Sequence, residues 1–340
     1  MSAVAEPSET PLKPLAPARS IIRHVDSGLS LPGENRLQLA VEVRWPDRTQ
    51  FPQPSIALVC LPGGGMNRRF FDLIPADGGT DFSFAEQMRA RGFIVILVDH
   101  LGVGDSSRPR DVFSLTPEVL TQTNQHAVEY IVSALRDGSL TSELPALTNL
   151  RTIGVGHSMG ALLTLVQQHE FHPHAAVAVL GFSTGGLPQY VSEEALGLMA
   201  ADAVGIRKEL ERLARAQFGD APSVRRSSPQ SGDLFAAAKA DPRGIAALKP
   251  ALAPMLPVPA FLSMLPGNIA AECAAIDVPV FIGVGELDMT GPAQLIPAAF
   301  STSRDVTLEV LPQAGHSHFI FPARAQLFDR LAEWAAARMH

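Results

Sequence analysis

The residues that most directly suggest chemistry are Gly156-His157-Ser158-Met159-Gly160, a serine with glycine two positions away on either side. A β-branched run at 151–155 leads into it and an apolar, helix-like run at 161–166 leads out. A serine on so tight a strand–turn–helix is held out at the top of a sheet, at the positive end of the following helix. The turn brings the two flanking positions nearly into contact, which calls for glycine at both. A serine hydroxyl is a weak nucleophile. It needs a base, a group to orient that base, and donors for the oxyanion that develops on the substrate.

Each has a candidate, in the order serine, acid, histidine. Gly285-Glu286-Leu287-Asp288 follows the apolar run 278–284, which puts a carboxylate just past a strand's C-terminal end, on the same rim as the serine. Asp288 is preferred because one more turn residue lets its side chain swing back to the site; Glu286 is the alternative. The strand-like run 305–311 leads to Gln313-Ala314-Gly315-His316-Ser317-His318. An imidazole there suits a base that takes up and returns a proton near neutrality, and Gly315 permits the bend that favours His316 over His318.

The oxyanion requires two N–H groups aimed at one point. One is expected from Met159, the residue after the nucleophile. The other is expected from the loop Leu61-Pro62-Gly63-Gly64-Gly65-Met66, where three glycines let the backbone approach a substrate oxygen. Gly64 is the expected donor, with Gly63 and Gly65 close behind. No Gly-Lys-Ser/Thr follows, so a phosphate-binding P-loop is ruled out. Gly102-Val103-Gly104 lacks the third glycine of a dinucleotide fingerprint, and 99–106 reads as a tight structural turn.

These residues need a scaffold, and the apolar runs supply one. Residues 55–61, 93–98, 151–155, 175–180 and 278–284 read as strands buried on both faces, and 37–45 as a strand near a sheet edge. Helices are expected at 84–91, from Pro117 to about Arg136 with Thr116 as N-cap and Gly138 as stop, and at 322–339. Alternating strands and helices imply an α/β fold, a doubly wound and mainly parallel sheet of about eight strands. Residues 184–276 break the rhythm, with a helix expected over 193–218 and a proline-rich helical mixture over 232–265. The reading is a flexible tail at 1–20, a core domain at 21–183 and 277–340, and an inserted helical cap at 184–276 over the edge where open α/β sheets bind ligands.

Composition narrows the function classes. A net charge of −7 offers no basic stripe for nucleic acid. The pairs Arg68-Arg69 and Arg225-Arg226 read as solvated surface. Two cysteines, with Cys60 in an apolar run, fit a cytoplasmic protein with buried thiols. No signal peptide and no membrane span are read, and the ten histidines do not form a metal cluster. No cofactor is implied, and the oligomeric state is not legible.

On these motifs, together with Asp99-His100-Leu101-Gly102-Val103-Gly104-Asp105-Ser106, the chain resembles the α/β-hydrolase superfamily over roughly 35–183 and 277–340. The resemblance implies a triad of Ser158, Asp288 and His316 and a cap at the inserted segment. Many members carry His-Gly in the oxyanion loop where this chain has Pro62 and three glycines. Serine at the elbow, where epoxide hydrolases and haloalkane dehalogenases use aspartate, argues against those branches. The expected activity is hydrolysis of carboxylic esters of small to medium apolar molecules through an acyl-enzyme. The same triad serves C–C bond, lactone or amide cleavage, perhydrolysis and acyl transfer, and a non-catalytic binding protein on this fold is a further alternative. Substrate contacts are expected from Gly63, Gly65, Met66 and His157, and from the cap residues Met199, Met255 and Met264, whose thioethers would give an adaptable pocket.

Overall fold

The computed structural model describes residues 19–47, 51, 54–219 and 239–339. Eight strands form one sheet in the order β1-β2-β4-β3-β5-β6-β7-β8. They are β1 (Arg19–Asp26), β2 (Gln38–Trp45), β3 (Ile56–Leu61), β4 (Ile94–Val98), β5 (Arg151–His157), β6 (Ala176–Leu180), β7 (Val280–Gly285) and β8 (Val306–Leu311). β2 pairs antiparallel with β1 and β4, and all other neighbours are parallel. The doubly wound α/β sheet is as expected from the sequence.

The central strands are continuous apolar runs because helices cover both faces. Along β3 the side chains alternate between two cores. Ala57, Val59 and Leu61 face α2 (Pro117–Asp137) and α3 (Met159–Phe171); Ile56, Leu58 and Cys60 face α1 (Phe84–Ala90) and α9 (Arg324–Ala336). The Thr116 hydroxyl accepts from Val119 N–H to start α2, and Gly138, at φ 78°, ends it in the left-handed conformation.

Two differences from expectation have local causes. β2 lies near the edge as expected, but an unexpected strand, β1, forms the edge itself; residues 19 and 20 of the expected tail belong to it, and the rest of that tail lies outside the described residues. The helix expected over 193–218 is divided into α4 (Glu193–Ala201) and α5 (Leu210–Phe218). Asp202 Oδ1 accepts from Val204 and Gly205 N–H at 3.1 and 2.8 Å, a local turn that competes with helical pairing.

Between β6 and β7 the described residues also carry α6 (Pro242–Leu248), α7 (Pro257–Met264) and α8 (Ala270–Ala275); residues 220–238, with Arg225-Arg226, lie outside the description. An extended strap ahead of α7 is clipped to the glycine loop after β3. Met66 and Leu252 form an antiparallel bridge, Ala253 N–H donates to Gly65 O at 2.8 Å, and Asn67 Nδ2 donates to Pro250 O at 3.0 Å. No helix among the described residues is long and apolar enough to cross a membrane.

Candidate active site

β5 passes into α3 through Ser158 alone. Ser158 sits at φ 53°, ψ −121°, a region that costs a residue with a Cβ about 1–3 kcal/mol. Surrounding bonds impose it: Ser158 N–H donates to Leu180 O at 2.8 Å, and its own carbonyl accepts from Ala161 and Leu162. The flanking glycines are obligatory. A Cβ on Gly156 would lie 2.4 Å from Ala161 Cα, and one on Gly160 2.1 Å from Leu61 O. Ser158 is partly exposed between buried neighbours.

The loops after β7 and β8 interlock. Glu286 N–H donates to Leu311 O and Leu287 N–H to Ala314 O, both at 2.9 Å. A Cβ on Gly285 would lie 2.2 Å from Ala314 O, so only glycine allows this approach. The geometry places Asp288 Oδ1 2.7 Å from His316 Nδ1, and the Asp288 side chain is fully buried. Glu286 instead turns to the backbone, accepting from Gln313 N–H at 2.8 Å. Burial opposes ionisation of Asp288, but the charges and hydrogen bonds of His316 and His318 prevail and hold its pKa well below the usual carboxylate range. With Nδ1–H donated to the carboxylate, His316 carries its lone pair on Nε2.

The end of β6 draws serine and histidine together. Ser158 bonds to Leu180, and the next residue, Gly181 at φ 61°, lies against the His316 ring, where a Cβ would come within 3.1 Å. Behind the elbow, Phe70 stacks near His157 at 4.3 Å and near Phe319 at 4.9 Å, which ties the histidine loop to the 3-10 turn after the glycine loop.

Opposite Ser158 runs the glycine loop. A Cβ on Gly63 would lie 2.8 Å from His157 Nδ1 and 3.2 Å from Ser158 Cβ, so this residue passes directly beside Ser158. Gly63 and Gly65 engage their carbonyls with Met66 and Ala253 N–H. Gly64 lies against Met159, its virtual Cβ 3.7 Å from Met159 Sδ and 3.9 Å from Ala260 Cβ on α7. Met159 is the first residue of α3, and such N–H groups have no partner within their helix. The two residues expected to donate therefore lie next to each other, Gly64 against the Met159 side chain.

Several expected substrate contacts are placed elsewhere. His157 is 2% exposed and bonds through Nε2 to His316 O at 2.9 Å, so it braces the histidine loop from behind. Burial and the two neighbouring imidazoles keep it neutral, with a pKa well below the histidine norm. Met66 packs with Phe70 and Ala251 in one core, and Met199 packs against Gly267 in the other. Met255 and Met264 are half-buried on and just before α7. Arg68, expected at the surface, is 3% exposed and paired with Asp99, Asp105 and Glu42.

The 99–106 turn does more than close a corner. His100 Nε2 lies 3.1 Å from Pro62 O and its Nδ1 2.9 Å from Asn124 Nδ2. A carbonyl only accepts, so Nε2 donates and Nδ1 receives the Asn124 amide. Burial lowers the pKa of His100 and keeps it neutral. The residue thereby pins the peptide just ahead of Gly63 to α2.

Residues 58–327 match the family model described as Alpha/beta hydrolase family. No curated protein matches the chain. Among solved structures, a thermophilic esterase from Thermogutta terrifontis is 17% identical with a TM-score of 0.58, over 95% of this chain and 100% of the esterase. A carboxylesterase structure from the thaumarchaeon Nitrososphaera gargenis is 18% identical, TM-score 0.56, over 91% and 97%. The proline iminopeptidase of Mycobacterium smegmatis is 16% identical, TM-score 0.56, over 94% and 99%. At these identities the likeness is one of fold.

Proposed function

The chain belongs to the alpha/beta hydrolase family, and from that premise we propose that it is a serine hydrolase of carboxylic esters with small to medium apolar groups. Ser158 Oγ attacks the ester carbonyl as His316 Nε2 takes its proton, and Asp288 holds the imidazole in the required tautomer. The oxyanion of the tetrahedral intermediate accepts hydrogen bonds from Met159 and Gly64 N–H. Each such donor is worth about 3–4 kcal/mol of transition-state stabilisation. His316 then protonates the departing alcohol, leaving an acyl-enzyme. Water, deprotonated by the same nitrogen, releases the acid and restores Ser158.

The observation that carries this reading is a strained Ser158 linked through Leu180 and Gly181 to the ring of His316, whose Nδ1 is held at 2.7 Å by the buried, ionised side chain of Asp288. Strain persists where surrounding structure over-determines it, as at reacting groups. The helices of 184–276 would serve as the cap, with α7 as roof: Ala260 abuts Gly64, and Met255 and Met264 offer half-buried apolar surface. The alternate contacts in this reading are the backbones of Gly63 and Gly65. A cytoplasmic setting suits two buried cysteines that are both free thiols.

Fluorophosphonate labelling followed by mass spectrometry tests the proposal. An adduct on Ser158, lost in Ser158→Ala and slowed at least 100-fold in His316→Ala, is expected. Folded protein that neither labels nor turns over any ester would overturn it. A panel of ester, lactone, amide and β-diketone substrates, with an alcohol acceptor, then separates ester hydrolysis from the other reactions.

A further inference from the structure

A second imidazole grips the acid as closely as the first. His318 Nε2 lies 2.8 Å from Asp288 Oδ2, and both side chains are fully buried. Asp288 thus divides its oxygens: Oδ1 accepts from His316 Nδ1 and from Met289 N–H, each at 2.7 Å, and Oδ2 accepts from His318. An ionised carboxylate only accepts, so Nε2 of His318 carries a proton. The other nitrogen, Nδ1, is buried with no hydrogen-bond partner among the described residues. Burying a polar atom without a partner is costly, and an apolar side chain of similar size would avoid that cost. Packing alone does not account for histidine here.

We infer that His318 is a positioning residue for the acid: it occupies Asp288 Oδ2, so that the carboxylate presents Oδ1 alone to His316 and is shared between two imidazoles. The inference rests on the reading of Ser158, His316 and Asp288 as a triad. It has two physical consequences. The carboxylate is barred from rotating to exchange its oxygens, which keeps the His316 ring in one orientation. A donor on the ionised form also draws charge from it, weakening its hold on the proton of His316.

Few other groups can produce such an effect. The β5 elbow contributes His157, neutral, with its ring 4.7 Å from His316 and 5.7 Å from His318. β6 contributes Gly181, the turn after the glycine loop contributes Phe70, and Glu286 is turned toward Gln313 N–H.

The test measures fluorophosphonate labelling rate and ester kcat/KM against pH for wild type, His318→Leu and His318→Gln, with circular dichroism to verify folding. Loss of the second donor in His318→Leu is expected to move the acid limb of the rate profile to higher pH and lower the plateau several-fold. Glutamine, whose amide reaches about as far as Nε2, is expected to restore the midpoint. If the leucine variant does not fold, His318→Asn, a shorter amide that stops short of Oδ2, carries the same expectation. A folded variant lacking the donor but keeping the wild-type midpoint overturns the inference, whatever its plateau. Wild-type protein that fails to label at any pH instead overturns the triad reading itself.

Discussion

Replacing Ser158 with glycine is expected to remove activity and raise stability together. At φ 53°, ψ −121°, a Cβ costs about 1–3 kcal/mol, and glycine has none. Against this, glycine frees the unfolded chain by about 0.5–1 kcal/mol. Ser158→Ala is the proper reference, since it discards the hydroxyl and keeps the Cβ. Relative to alanine, glycine should therefore gain up to about 2.5 kcal/mol, near 1 kcal/mol at the middle of both ranges. Unfolding entropy near 2.1 cal/mol/K per residue gives roughly 0.7 kcal/mol/K for a chain of 340 residues. The glycine variant should melt about 1.5 °C, and up to about 4 °C, above the alanine variant. Calorimetry reads the difference directly, and urea midpoints at unchanged slope check it. Both variants should be inert to fluorophosphonate. Lower stability of Ser158→Gly than of Ser158→Ala would refute the claim that the fold holds this residue under strain.

Gly160→Ala should fail to give folded protein, because its Cβ would meet Leu61 O at 2.1 Å and Pro62 O at 2.5 Å, both backbone; Gly64→Ala, with its nearest contact at 3.7 Å, should fold normally, and soluble yield with circular dichroism compares them. Stability should fall with acid. His100, His157 and His174 are held neutral by burial, His174 down to about 3, while the unfolded chain binds protons near pH 6.5. Their contribution is complete above pH 7 and lost as pH drops below about 6.5, by up to roughly 1.4 kcal/mol per unit for each histidine. Urea midpoints from pH 7.5 to 5 should show this slope, and His174→Gln should reduce it by one proton. Asp288, with its lowered pKa, adds a loss in the same direction in more acid solution, as pH falls below the carboxylate range. His100→Phe should lower kcat about 10-fold with little change in KM, since it releases the peptide that aims Gly64; an unchanged kcat in folded protein would refute that role.

The elbow was legible because backbone crowding leaves its trace in residue type: at 2.1–2.4 Å only glycine fits, at 156 and at 160. Asp288 and His316 were legible by rank, as the first carboxylate and imidazole able to turn back after two apolar strands. The bracing histidines were not. His157 bonds a carbonyl 159 positions away and His100 one 38 positions away. A carbonyl belongs to every residue, so such partnerships carry no signature. Arg68 misled for a related reason, since a lone arginine reads as solvated until Asp99, 31 positions on, is known to face it. β1 was overlooked because an edge strand with one covered face, RSIIRHVD, lacks the unbroken apolar run of its neighbours.

The strap at 250–253 has a consequence for how this protein can be recombined. Through the Met66–Leu252 bridge and the Ala253–Gly65 bond, the inserted segment acts as a template for the loop that bears Gly64. Insertion and core are thus not separable modules. A chimera that takes another relative's insertion with junctions near 184 and 276 imports a foreign splint for the loop of the proposed Gly64 donor along with a new set of proposed cap helices. A graft that retains the native strap and exchanges only the helices flanking it would alter substrate preference while leaving the reacting centre in register.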